Sequence, residues 1–126
     1  MTANLSNFIH ALFEAQLNIK LYHWSTSSYA RHKAADALLD KLQENGDKFV
    51  EVFVGKYGRD KISLSKKHVA IQNLNDTSVC KFLDDYIKLL CNEVPKYVNK
   101  SDTDLLNIRD ELLAACNQTK YLFGLE

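Results

Sequence analysis

Five residues in the first half of the chain carry side-chain types that serve as metal ligands: His23, His32, Asp36, Asp47 and Glu51. Imidazole nitrogen with carboxylate oxygen suits iron, with manganese or zinc as surrogates, better than it suits thiolate-seeking metals. Their spacing makes them a set. At about 100° per residue, with His32 as zero, Asp36 falls at about 40°, Asp47 at about 60° and Glu51 at about 100°, so all four share one side of a helix. Val50 and Val54 fall within the same arc, whereas Lys33, Lys41 and Lys48 lie at about 100° to 180°. Carboxylates interleaved with apolar residues indicate a surface that packs on another, where a cation or a proton must offset desolvation.

The helical rise of about 1.5 Å per residue divides the set. His32 and Asp36 are about 6 Å apart along the axis, as are Asp47 and Glu51, but about 16 Å separates Asp36 from Asp47. One metal site cannot span both pairs. Two copies of this helix packed antiparallel about a twofold axis near Lys41 and Leu42 bring the His32/Asp36 end of one onto the Asp47/Glu51 end of the other, giving two identical sites per homodimer. His23 ends the preceding helix on the stripe of Leu12, Gln16 and Ile19, with eight residues between it and His32, and adds a second imidazole.

The elements that must position these groups are helical. From Asn4 to Trp24 the residues Leu5, Phe8, Ile9, Leu12, Phe13, Leu17, Leu21 and Trp24 recur at steps of three and four, which predicts the first helix and its apolar stripe. Ser25 to Ser28 is a short break rich in cap residues, and Tyr29 to Tyr57 is the second helix, ended by Gly58. Arg59 to Asn75 has no sustained period, so it is either a crossover that traverses the domain or a connection holding one short helix. Asp76, Thr77 and Ser78 offer caps to a third helix running to Val98 with a kink at Pro95. Ser101 to Asp104 caps a fourth helix through Leu105, Ile108, Leu112, Ala115 and Leu122. Two short links and one long central connection describe an all-α, ferritin-like four-helix bundle.

Length and composition agree with that reading. The chain has 126 residues with 46% apolar content, enough for a single domain over 1–126 with its own core. Four Gly and one Pro are too few to punctuate an all-β fold. Sixteen basic residues balance sixteen acidic ones, which gives no general bias toward polyanions. The basic stretch Lys56 to Lys67 is read as a solvated connection, and DNA binding is not expected from it. No apolar run reaches the length of a membrane span, and the first residues lack a signal-peptide pattern, so a cytoplasmic protein without membrane contact is expected. Cys80, Cys91 and Cys116 show no CxxC spacing and read as reduced thiols packed in the core.

The stretch from Leu21 to Gly58 resembles the ferroxidase region of the Dps-like miniferritins, the DNA-protection-during-starvation proteins. In that family a His-Trp pair ends the first helix. The second carries a His, an Asp four residues later, and an Asp-x-x-x-Glu fifteen and nineteen residues after that His. Here those positions read His23-Trp24, His32, Asp36, Asp47 and Glu51. The resemblance implies a di-iron site shared across a twofold interface, oxidation of Fe(II) by peroxide or oxygen, iron storage, and assembly of dimers into a dodecameric cage. It also implies that Trp24 lies beside the iron, although a plain helix-packing aromatic is the simpler reading of that residue. A ferritin of the ordinary kind would need Glu-x-x-His pairs, and the chain has none.

Overall fold

The computed structural model describes residues 4–125, and within them the chain is all-helical: α1 (Leu5–Ser25), α2 (Tyr29–Tyr57), α3 (Ser78–Asn92) and α4 (Thr103–Phe123), with short 3-10 turns at Arg59–Lys61 and Val94–Lys96. The first two helices begin at polar caps. The Asn4 side chain accepts from the Asn7 N–H, and Ser28 Oγ accepts from the Arg31 N–H at 3.2 Å. Gly58 ends α2 at φ 108°, a left-handed conformation that a side chain would resist.

Two boundaries differ from the sequence expectation. α3 stops at Asn92 and does not continue to a kink, because Pro95 lacks an N–H and opens a separate 3-10 turn. Its start is sealed by Asn75, whose Oδ1 accepts from the Thr77 and Ser78 N–H groups while Ser78 Oγ accepts from the Asn75 N–H. Asp76 is thereby free for other work.

Residues 62–76 cross the molecule without regular structure, which resolves the open choice between a traverse and a short helix in favour of the traverse apart from one turn at its start. The segment runs in the same direction as α1 and is held by a ladder of side chains spaced four residues apart on that helix. The Ser65 N–H donates to Ser6 Oγ, the His10 Nε2–H donates to the His68 carbonyl at 2.7 Å, and the Ala70 N–H donates to Glu14 Oε2. Asn18 donates to the Ala70 carbonyl and accepts from the Gln72 N–H, and Tyr22 donates to Asp76. The crossover therefore returns the chain to the end where α1 finished, so α1 and α4 run one way and α2 and α3 the other. α2 packs most extensively, against α1 and α4, and α3 closes the ring against α4 and α1. All four neighbouring pairs are antiparallel.

The core contains Phe8, Leu12, Ile19 and Tyr22 of α1, Leu38, Leu42, Phe49 and Phe53 of α2, Leu83 and Leu90 of α3, and Leu105 and Leu112 of α4. Gly46 lets α1 and α2 approach, since an added Cβ would lie 2.6 Å from a Leu12 methyl. Three residues expected on the core stripe of α1 point outward: Phe13, Leu17 and Trp24 are 41%, 49% and 67% exposed. The cysteines also depart from expectation, because only Cys116 is buried, with its thiol pushed up to about 12 by desolvation, whereas Cys80 is half-buried and Cys91 exposed. Among the described residues no helix is long and apolar enough to cross a membrane.

Candidate functional site

The short link between α1 and α2 places His23 and His32 face to face. Their rings stack with centroids 3.9 Å apart and planes 15° from parallel. The two backbones return the contact. His23 Nδ1 lies 2.8 Å from the His32 carbonyl oxygen, and His32 Nδ1 lies 2.7 Å from the His23 carbonyl oxygen. A carbonyl only accepts, so each Nδ1 carries the proton, and in the neutral rings each Nε2 keeps its lone pair. The helix ends fix the tautomers as well as the positions of both imidazoles.

His23 is 7% exposed, and its Nε2 is 3.9 Å from Asp36 Oδ1. Asp36 is half open to solvent. Tyr29, at the first position of α2, lies with its ring 6.3 Å from that of His32. Three of the five expected ligands are thus gathered at one end of α2. Asp47 and Glu51 are not with them: both are exposed farther along the same helix, and neither makes a hydrogen bond or an ion pair among the described residues. Within one chain, no group of three or more His, Cys, Asp or Glu among the described residues is arranged to hold a metal ion.

Trp24 stands away from the core, with the Lys20 ammonium over its ring at 5.4 Å, so the helix-packing reading of this residue fails within the chain. With Phe13 and Leu17 it extends an outer face formed by α1 and α2, to which Leu39, Val50 and Val54 contribute half-buried side chains. The basic stretch is less basic than its composition suggests. The Lys56 ammonium is taken up by Asp102 at 2.9 Å and Asp104 at 2.6 Å, and Lys61 lies 3.6 Å from Asp60.

Two carboxylates expected only as helix caps, Asp76 and Asp102, organise the ends of the bundle. Asp76 accepts from Tyr22 and Thr26 and lies beside Arg31, which holds its carboxyl below the usual range, the Tyr22 hydrogen bond contributing most. Asp102, buried between α2 and α4, accepts from the Tyr57 hydroxyl at 2.5 Å, from the Asn99 N–H and from Lys56, and is held down to about 2. Their positions just before a helix start read as ordinary caps, and that hid these longer-range partners.

The model of a family of unknown function (DUF5856) matches residues 23–123. An uncharacterized 14.6 kDa protein in the mobD-ri intergenic region of Enterobacteria phage T4 is 29% identical over 124 residues, covering 94% of this chain and 87% of that one. No solved structure matches.

Proposed function

The chain belongs to this family of unknown function, and from its paired imidazoles we propose that it is an iron-binding ferroxidase of the ferritin-like kind, which takes up Fe(II) and oxidises it with peroxide or oxygen. The observation that carries the reading is the reciprocal bonding of His23 and His32. Metal-binding histidines characteristically donate their second ring N–H to a carbonyl or carboxylate, and here both do so. The 3.9 Å between His23 Nε2 and Asp36 Oδ1 is too long for a hydrogen bond. It is near the roughly 4 Å limit for two ligands on opposite sides of one divalent ion, each about 2 Å from it, so the pair must close by several tenths of an ångström to bind as neighbours.

The remaining ligands come from a second copy. Under the antiparallel arrangement, Asp47 and Glu51 of the partner reach His32 and Asp36, and the homodimer holds two sites. Asp36 facing the partner's Asp47 is unfavourable unless a cation lies between them, so the acidic charge favours the substrate it is meant to bind. Each Fe(II) gives up one electron. Two of them reduce one hydrogen peroxide, and with two protons the peroxide leaves as two waters. The antiparallel ring of helices with its long crossover is the bundle on which such sites are built, and a cytoplasmic iron-storage role, with dimers closing into a dodecamer, is part of the same reading. DNA contact is not, since the Lys56 charge is already neutralised by Asp102 and Asp104.

A second reading is favoured because, among the described residues, no group of three or more His, Cys, Asp or Glu in one chain is arranged to hold a metal ion: a non-enzymatic ferritin-like dimer that serves as a structural or partner-binding module. Anaerobic Fe(II) titration followed by air or peroxide separates the two. Because Asp47 and Glu51 are exposed and unbonded, Asp47→Asn and Glu51→Gln leave the fold intact, and each is expected to slow ferric absorbance by at least roughly tenfold. No uptake and no ferric absorbance in the unmodified protein would refute the ferroxidase and leave the second reading, whereas unchanged rates in both variants would refute the shared site built on Asp47 and Glu51.

A further inference from the structure

Gly55 is the third residue from the end of α2, in its last turn, and nothing lies within 4 Å of where its Cβ would be. Glycine is a poor helix former, and here no contact within the chain accounts for it. Gly46 on the same helix is different, because Leu12 fills its place. The open space at Gly55 belongs to a groove lined by Val50, Glu51, Val54, Gly58, Arg59 and Ile62, with Ile62 55% exposed.

At the other end of α2, Tyr29 is 75% exposed and makes no hydrogen bond through its hydroxyl among the described residues. Its direction is about 60° on the wheel that puts His32 at zero. The groove residues Val54, Gly58 and Glu51 lie at about 40°, 80° and 100°. A twofold axis between antiparallel helices keeps each flank on the same side. The pairing that joins His32 to Glu51 and Asp36 to Asp47 therefore sets Tyr29 opposite Val54, on the flank where the groove opens. Lys33, at about 100° on that flank, faces the Val50–Glu51 level and supplies the opposite charge.

We propose that this groove receives the Tyr29 ring of a second copy of the chain, with Gly55 leaving room for it, so that two aromatic plugs lock the dimer at its two metal-binding ends. The proposal rests on the shared-site reading above, since that reading sets the register. The ring supplies the apolar contact that an interface aromatic in a pocket provides, and being next to His32 it covers the imidazole pair from water.

Sedimentation equilibrium of the full chain over a dilution series tests it. The wild-type chain is expected to dimerise, Tyr29→Ala and Gly55→Gln each to raise the dimer dissociation constant by roughly tenfold or more, and Tyr29→Phe to leave it unchanged. Gln is a better helix former than Gly and meets no atoms in the chain, so the thermal midpoint of diluted Gly55→Gln stays level or rises, which separates a blocked groove from misfolding. A dimer equally tight in both variants overturns the groove while leaving iron oxidation to stand on its own assay. Weakened dimers in a chain that oxidises no iron uphold the groove and refute the ferroxidase. A wild-type chain that stays monomeric at every concentration overturns the groove, whose occupant is then some other partner.

Discussion

Asn18 is fully buried, and its side chain closes three hydrogen bonds, donating to the Glu14 and Ala70 carbonyls and accepting from the Gln72 N–H at 2.6 Å. No water replaces these partners at a site with no exposed surface. Asn18→Leu strands the Ala70 carbonyl and the Gln72 N–H, and is expected to cost about 1–3 kcal/mol in chemical denaturation. His10 works in the same ladder. Its Nε2 bonds the His68 carbonyl while Nδ1 lies 3.4 Å from Glu14, so this histidine is structural. The ladder residues Ser6, His10, Glu14, Asn18 and Tyr22 were all legible as polar positions at a spacing of four. Their partners were not, because a crossover more than forty residues away supplies backbone groups that carry no sequence signature. The metal candidates show the converse. His23, His32 and Asp36 could be found from spacing alone, but the reciprocal donation of each Nδ1–H to the other residue's carbonyl depends on how a helix end and a helix start meet.

Helix ends were legible wherever a cap or a breaker does local work, as at Ser28 and Gly58, and illegible where a side chain serves a distant element, as Asp102 does. The core face of α1 also differs from its apolar pattern. Phe13, Leu17 and Trp24 form a second apolar stripe, and a helix with two stripes reads as one broad stripe until its neighbours are placed. What fixes the true core side is the contact of Leu12 with Gly46. Glycines on α2 therefore carry a paired prediction at this scale. In Gly46→Ala the new methyl group falls on Leu12, which is itself buried, and the overpacking is expected to lower stability by about 1–3 kcal/mol. In Gly55→Ala, measured on dilute monomer, nothing is displaced, and stability is expected to rise by as much as about 1 kcal/mol. Urea unfolding of the two single variants is the check, and the same sign in both would mean that the helix crossing is not set by residue 46.

For the molecule as a whole, the antiparallel ring leaves two open ends, and each is tied by one carboxylate. At one end Asp76 joins Tyr22 and Thr26 of the α1–α2 corner to Arg31, whose guanidinium also lies over the Phe123 ring of α4 at 4.9 Å. At the other, Asp102 joins Lys56 and Tyr57 of α2 to Asn99 before α4. Hydrogen bonds to the ionised form lower both carboxyls, that of Asp102 to about 2. A carboxyl depressed in the folded state binds fewer protons than its unfolded counterpart as the medium becomes acid. Its stabilisation is therefore complete above the ordinary carboxylate range near pH 4 and is lost as pH falls through that range toward about 2. Thermal midpoints measured across this window are expected to fall with acid in the wild-type chain. Asp102→Asn should start lower near neutrality, because Lys56 loses its buried partner, and should fall less steeply, because one of the two titrating ties is gone. A variant that keeps the wild-type slope would show that acid opens the bundle at its Asp76 end or elsewhere, and not at the α2–α4 junction.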